Sequence, residues 1–284
     1  MNTVVTLHVV RPEAPVEAFD RAFGWFHEIE TRCSRFDPSS EVMRLCAHPG
    51  EAIEVSPLLF EAVCFARIVA EESRGAFDPT QGARMAELGF NHHHVTGEPI
   101  PAHTGSAATY RDIELDANRR TILLRRSLTL DLASVVKGLA VDLAARELAP
   151  FRDFAIDAGG DLYLSGANEN SEPWSVGVRH PRHEGELIAS LRVTDRAVCT
   201  SGDYERQTVE GHHILNPATG GSAQSAASVT VLAPAAVVAD ALATAAFVMG
   251  PETGIPFLER MGVDGLIVTP ELQRFETRGL RDAA

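Results

Sequence analysis

Hydrophobic and polar positions change period several times along the chain, which predicts a mixture of strands and helices. Residues 3–10 alternate between apolar and polar side chains, as a half-buried strand does. Residues 15–34 instead repeat apolar side chains at helical spacing, with Phe19, Phe23 and Phe26 among them. Because the two periods follow each other without a regular βαβ rhythm, the pattern predicts an α+β fold rather than a doubly wound sheet.

The same reasoning, together with capping and turn residues, divides the rest of the chain. Ser56 followed by Pro57 is a typical start of a helix. The predicted helices are 15–34, a short one that Pro38-Ser39-Ser40 opens and that runs through Leu45, 57–73, 134–149, 235–249 and 252–261. The predicted strands are 3–10, 112–116, 121–124, 127–132, 153–157, 161–165, 174–179, 187–193, 197–200, 226–232 and 264–268. Residues 91–109, rich in His, Pro, Gly and Thr, predict a loop.

Composition narrows the class of protein. Hydrophobic residues make up 45% and charged residues 23% of the 284 positions, which is typical of a folded domain. The formal net charge of −14 disfavours sequence-independent nucleic-acid binding, so we expect no nucleic-acid partner. Polar residues interrupt the longest apolar stretch, 229–249, so it predicts a strand and a buried helix rather than a membrane span. The start of the chain does not resemble a signal peptide, which predicts a cytoplasmic protein, or a periplasmic one if the sequence is trimmed.

Asp240 is the residue whose position most needs an explanation. It lies in a helix that is apolar on nearly every face, where an unpaired carboxylate costs several kcal/mol. Thr244 follows one turn later on the same face, so the two oxygens converge on one point. Such oxygen ligands suit a hard cation such as Mg²⁺. A structural ion pair, or a carboxylate stabilised by the helix dipole, remains an alternative.

Two further segments carry candidate chemistry. In residues 130–138, Asp131 ends a predicted strand, and Ser134 and Lys137 lie in the first turn of the next helix, which suits an anion. A capped helix with a solvated lysine is the alternative. The turn Thr200-Ser201-Gly202 offers N–H and hydroxyl donors, and His213 follows it as a possible acid/base group or a simple turn residue.

Taken in order, these segments resemble the motifs of one family, the ApbE-type FAD:protein FMN transferases. The resemblance begins at Met1-Asn2-Thr3 and covers nearly the whole chain. The other matching segments are SRFDPSSE (34–41), GAFDPTQG (75–82), LDLASVVKG (130–138) with Asp142, DAGGD (157–161), TSGDY (200–204), HILNPATG (213–220) and DALAT (240–244).

The resemblance implies an α+β fold with mixed, largely antiparallel sheets. It further implies one domain over residues 1–284, built of two interleaved lobes with FAD in the cleft between them. The implied reaction is Mg²⁺-dependent: FMN passes from FAD to a threonine of an acceptor protein, and AMP leaves. The implied metal ligands are Asp240, Thr244 and the main-chain carbonyl of Ser134. The implied nucleotide contacts are Met1, Ala76, Phe77, Asp78, Asp131, Lys137, Thr200, Ser201, Gly202, His213 and Ile214. His213 and Asp240 are the expected catalytic residues, with His213 either activating the threonine or contacting phosphate.

Two departures from the family pattern keep other functions open. Cys46 stands where the family usually has asparagine, and Leu88 stands where a tryptophan is common; the resemblance implies that both positions lie near the adenine. Hydrolysis of FAD to FMN and AMP is one alternative. A protein that binds FAD without catalysis is the other.

Overall fold

The structure is a computed structural model that describes residues 3–11, 17–92, 97–100 and 108–282. Its helices are α1 (Glu17–Cys33), α2 (Glu41–Cys46), α3 (Pro57–Glu72), α4 (Gly82–Glu87), α5 (Ala133–Leu148), α6 (Ala236–Met249), α7 (Pro251–Arg260) and α8 (Arg278–Asp282). Its strands are β1 (Val5–Val9), β2 (Ala52–Glu54), β3 (Ile113–Asp116), β4 (Thr121–Leu124), β5 (Phe154–Ala158), β6 (Leu162–Ser165), β7 (Trp174–Arg179), β8 (Leu187–Val193), β9 (Arg196–Gly202), β10 (Gln207–Thr208), β11 (Gly211–His212), β12 (Ser228–Ala233), β13 (Asp264–Val268) and β14 (Arg274–Glu276).

A seven-stranded sheet in the order β1-β5-β6-β9-β12-β13-β14 forms the centre of the fold, and all its neighbouring strands are antiparallel. Helices cover one face of this sheet, where Ile156, Cys199 and Val231 point into the main hydrophobic core. The β7–β8 hairpin covers the other face and packs on Leu164 and Val198. Because both faces are covered, every residue of β12 is buried. The predicted α+β class is confirmed.

Most predicted elements are present, and two of the helices begin with the expected serine caps. Ser40 Oγ accepts a hydrogen bond from the Met43 N–H at 3.2 Å, which caps α2. Ser56 Oγ accepts one from the Leu59 N–H at 3.3 Å, which caps α3 just ahead of Pro57. These are the helix starts that the serines predicted. The short elements β2, α4, β10, β11, β14 and α8 were not predicted, because each is only 2 to 6 residues long and shows little periodicity.

The predicted strand at 127–132 is wrong. Its leucines are buried, but its backbone meets a turn rather than another strand: the Gly82 N–H donates to the Thr129 carbonyl at 3.1 Å, and the Asp131 N–H donates to the Pro79 carbonyl at 2.8 Å. The segment forms a single isolated bridge, Gln81 to Thr129. The alternation of apolar and polar residues therefore predicted the buried side chains correctly, but the segment does not pair with a neighbouring strand.

Helices α5 and α6 pack closely together and carry the residues that matter most for the site. The Asp142 carboxylate of α5 accepts hydrogen bonds from the Ala236 and Val237 N–H groups at 2.7 and 2.9 Å, which stabilises the start of α6. Gly138 lies where α5 meets α6, and a Cβ there would lie 2.5 Å from the Ala236 carbonyl oxygen. This close approach places the first turns of the two helices side by side.

The remaining expectations concern the loop and the apolar stretch. Residues 93–96 and 101–107 of the predicted loop lie outside the described residues. The described parts between 91 and 109 hold only an isolated bridge from His92 to Pro99. No helix in the described parts of the chain has both the length and the apolar character that a bilayer span requires. The division into two interleaved subdomains stays a prediction.

Candidate functional site

A cleft of about 1130 Å³ lies at one end of the central sheet, above the starts of α5 and α6. This volume is at the upper end for small-molecule sites, and it suits a ligand of dinucleotide size. The cleft brings together nine of the residues that the sequence singled out, from segments far apart in the chain. They are Asp131, Ser134, Lys137, Thr200, Ser201, Gly202, His213, Asp240 and Thr244.

The Asp240 side chain is buried as the apolar helix predicts, and the residue is only 6% exposed. Its Oδ2 atom has no hydrogen-bond partner among the described residues. Burial, reinforced by the nearby Asp161 carboxylate, raises the pKa of Asp240 well above its ordinary value. One carboxylate oxygen of a residue that lines the cleft is therefore buried without a partner in the described structure, and a cation would neutralise it.

Hydroxyl and carbonyl oxygens complete the surroundings of Asp240. Thr244 Oγ1 lies 3.2 Å from Ser201 Oγ and donates a 3.3 Å hydrogen bond to the Asp240 carbonyl. The Ser134 carbonyl belongs to the first turn of α5, four residues before Gly138. All these donors are hard oxygens, so the residues present fit Mg²⁺. The described residues contain no cluster of three or more His, Cys, Asp or Glu side chains suited to a metal.

Lys137 forms an ion pair across the floor of the cleft. Its Nζ lies 2.7 Å from Oδ2 of Asp161, whose side chain is 2% exposed. Burial alone would lower the pKa of Lys137, but the Asp161 and Asp240 carboxylates outweigh burial and raise it above its ordinary value. The lysine is therefore charged. It is ion-paired with Asp161, unlike the freely solvated lysine of the alternative interpretation.

Asp131 is held by Arg35, a cation that sequence reasoning quoted within a motif but did not assign. Arg35 Nε donates to Asp131 Oδ2 at 2.6 Å, and its Nη2 donates to the Phe90 carbonyl at 2.6 Å. The other oxygen of Asp131 accepts from the Ala133 N–H at 2.9 Å, at the start of α5. Burial raises the pKa of Asp131, but Arg35 and this hydrogen bond outweigh it, so the pKa ends below its ordinary value. Asp131 thus shapes the cleft wall as an ionised, already paired group.

His213 faces the cleft from the segment that follows β11, with its ring edge-on to Phe90 at 6.5 Å. Its Nδ1 is buried without a hydrogen-bond partner among the described residues. Burial, and then the positive charge of Arg206, lower the pKa of His213 to about 4. The imidazole is therefore neutral at pH 7, so it presents a lone pair rather than a positive charge.

Several predicted contacts do not line the cleft, as far as the described residues show. Phe77 is 5% exposed in the main core, and Ile214 is 4% exposed. The Asp78 carboxylate is used internally: one oxygen accepts from the Thr80 N–H and hydroxyl at 2.9 and 2.7 Å, and the other from a main-chain N–H at 3.1 Å. Ala76 packs against the same core. Their nucleotide contacts stay predictions.

Met1 lies outside the described residues, so its contact also stays a prediction. The two departures from the family pattern lie away from the cleft lining that the structure describes. Cys46 is fully buried, and its Sγ accepts a hydrogen bond from the Leu130 N–H at 3.4 Å. Leu88 is 9% exposed and packs with Met85. Neither substitution replaces a side chain that faces this cleft.

Three comparisons with known proteins bear on this site. The model of the ApbE family matches residues 1–267. The chain belongs to the ApbE family. An ApbE relative from Treponema pallidum, a FAD:protein FMN transferase, is 31% identical over 307 residues, covering 98% of this chain and 84% of that protein. A FAD:protein FMN transferase from Rhodobacter capsulatus is 32% identical over 248 residues, covering 82% of this chain and 46% of that protein.

Solved ApbE structures share the whole fold. The ApbE protein from Thermotoga maritima superposes with a TM-score of 0.85 at 30% identity, covering 99% of this chain and 94% of that one. The flavin transferase ApbE from Vibrio cholerae gives a TM-score of 0.86 at 24% identity, covering 100% and 96%. The predicted family is therefore confirmed, and the predicted enzyme class agrees with the names of these relatives.

Proposed function

We propose that this ApbE-family protein is an FAD:protein FMN transferase that uses Mg²⁺, modifies a threonine of its acceptor and releases AMP. The observation that supports the metal site is the Asp240 carboxylate, which is buried with one oxygen unpartnered in the described structure and lies one helical turn before Thr244. An unpaired buried carboxylate is costly, so its retention in the cleft is explained by a ligand that the described side chains do not supply.

The proposed ligands of Mg²⁺ are Asp240, Thr244 and the main-chain carbonyl of Ser134. When bound, the ion neutralises charge that develops on the pyrophosphate. Lys137 adds a positive charge on the same floor, 2.7 Å from Asp161. Thr200, Ser201 and Gly202 form the end of β9 rather than the turn that the sequence predicted, and they also line the cleft. Their two hydroxyl groups are available to the nucleotide.

In the transfer, the acceptor threonine oxygen forms a bond to the FMN-side phosphorus while the pyrophosphate P–O bond breaks. AMP departs with the bridging oxygen, and the threonine proton must be taken up. His213 is the proposed acceptor of that proton, because its imidazole is neutral and its Nδ1 is unpartnered. A bound pyrophosphate would raise the pKa of His213 toward neutrality by its negative charge.

The test is an incubation with FAD, Mg²⁺ and a peptide of the family's acceptor type, D-G-x-[ST]-[GS]-A-T. We expect one AMP released per flavin found on the peptide, by chromatography and mass spectrometry. Asp240→Asn should abolish both signals, whereas Asp20→Asn, an exposed carboxylate on α1, should leave them unchanged.

Other outcomes point elsewhere. FMN and AMP formed with an unmodified peptide would indicate a pyrophosphatase, and FAD bound without AMP would indicate a binding protein. The cellular compartment stays a prediction from the sequence.

A further inference from the structure

Three elements bring charged side chains together on the cleft floor. Lys137 comes from α5, Asp240 from α6, and Asp161 from the turn between β5 and β6. Lys137 Nζ is 2.7 Å from Asp161 Oδ2, an atom with no partner of hydrogen-bond geometry, so the contact is an ion pair. The Asp161 carboxylate is close enough to Asp240 to add to the effect of burial in raising the pKa of Asp240. One ammonium group therefore has two buried carboxylates within its influence and is paired with only one of them.

The turn that presents Asp161 is constrained by backbone rather than by chance packing. Gly159 and Gly160 have φ of +66° and +93°, which glycine adopts readily. The Gly160 N–H donates to the Asp157 carboxylate at 2.8 Å, and the Ala158 N–H donates to the Asp161 carbonyl at 3.0 Å. The Asp161 side chain is thereby fixed at the start of β6, where it faces Lys137.

We propose that Asp161 is a positioning residue that holds the Lys137 ammonium and so leaves Asp240 open to the divalent cation; this inference rests on the proposed function. The Lys137 side chain is only 27% exposed, so its ammonium group is largely removed from water and is stabilised by a carboxylate partner. Without Asp161, the flexible lysine side chain has the Asp240 carboxylate as its remaining buried partner. The lysine would then compete with the metal for the ligand itself.

Net charge separates this role from that of a metal ligand. The three groups together carry one net negative charge. Replacing Asp161 by asparagine removes that charge and releases Lys137, whereas replacing both Asp161 and Lys137 by neutral residues restores one negative charge, on Asp240 alone. The double variant should therefore behave like the wild type if Asp161 acts through Lys137.

The experiment measures Mn²⁺ binding in the absence of FAD, from the concentration of free Mn²⁺ determined by electron paramagnetic resonance. The measurement is repeated with Mg²⁺ as a competitor. The proteins are the wild type, Asp161→Asn, Lys137→Met, the double variant and Asp240→Asn. We expect Asp161→Asn to weaken binding by about 10- to 100-fold, as losing a supporting residue does at other metal sites. Lys137→Met should bind more tightly than the wild type, and the double variant should return to wild-type affinity.

A double variant as weak as Asp161→Asn would identify Asp161 as a ligand and overturn the proposal, and so would an unchanged Asp161→Asn. If the single variant does not fold, the double variant decides, because it carries no unpaired ammonium: wild-type affinity supports the proposal and loss of binding overturns it. A wild type that binds Mn²⁺ no better than Asp240→Asn would contradict the proposed metal site, and the role of Asp161 would fail with it. If the wild type still transferred flavin although it did not bind Mn²⁺ at this site, the proposed flavin transfer would remain supported and only the metal site would fail.

Discussion

Adding one methyl group at Gly138 tests whether the close approach of α5 and α6 holds the site together. A Cβ at this position would lie 2.5 Å from the Ala236 carbonyl oxygen and 2.6 Å from Val237 Cα, both of them backbone atoms. Neither atom can yield easily, since Asp142 binds the N–H groups of the same two residues. The helices must therefore move apart by about 1 Å to restore ordinary contact distances.

The magnitude follows from two opposing effects. Alanine is favoured over glycine inside a helix by about 1 kcal/mol. Overpacking a rigid interior costs about 1–3 kcal/mol, and a clash with backbone belongs at the upper end. We expect Gly138→Ala to lower the free energy of unfolding by about 2 kcal/mol. It should also weaken Mn²⁺ binding, because separating the two helices moves Asp240 of α6 away from Ser134 of α5.

Gly24 provides the matched control. It lies inside α1, and no atom lies within 4 Å of a Cβ built there. Gly24→Ala should raise the free energy of unfolding by about 1 kcal/mol and leave Mn²⁺ binding unchanged. The assay is urea denaturation followed by circular dichroism, with the midpoints compared at equal slope. If Gly138→Ala were as stable as Gly24→Ala, the packing argument would be refuted.

Three more predictions follow from the polar contacts. Asp142→Asn should lower the free energy of unfolding by about 1 kcal/mol, because the charged acceptor at the start of α6 is lost. Urea denaturation measures this loss, and an unchanged midpoint would contradict the prediction. Arg35→Met should lower the free energy of unfolding by about 3 kcal/mol, because Asp131, which is 15% exposed, loses its ion-pair partner and keeps the hydrogen bond from Ala133. Arg44→Met, at an exposed position of α2, should cost little, and equal midpoints for the two variants would contradict the pairing. His213 has a pKa of about 4 when folded and about 6.5 when unfolded, so the unfolded chain binds more protons between these values. The protein should accordingly lose at most about 1.4 kcal/mol of stability per unit as the pH falls from 6.5 toward 4. His213→Gln should flatten that dependence, and an identical pH profile in this variant would show that another group is responsible.

The local sequence was enough to predict most helices and their starts. Serines at 40 and 56 mark helix caps because a short hydroxyl side chain satisfies N–H groups that the helix leaves free. The local sequence also singled out Asp240, since one carboxylate in an otherwise apolar helix needs a partner. The order of the short motifs predicted the family that the comparisons confirmed.

Tertiary structure decided the polar partners, because hydrogen bonds and ion pairs join residues that local periodicity does not relate. Arg35 and Asp131 are 96 positions apart, and nothing near either residue indicates the other. Asp161 stood within a recognised turn, yet its pairing with Lys137 depends on how β6 packs beside α5. The Asp78 carboxylate, a predicted nucleotide contact, accepts hydrogen bonds from Thr80 in its own turn, which the motif alone did not indicate. Sequence thus determined which groups are chemically unusual, and packing in three dimensions determined which of them are already satisfied and which still face the cleft.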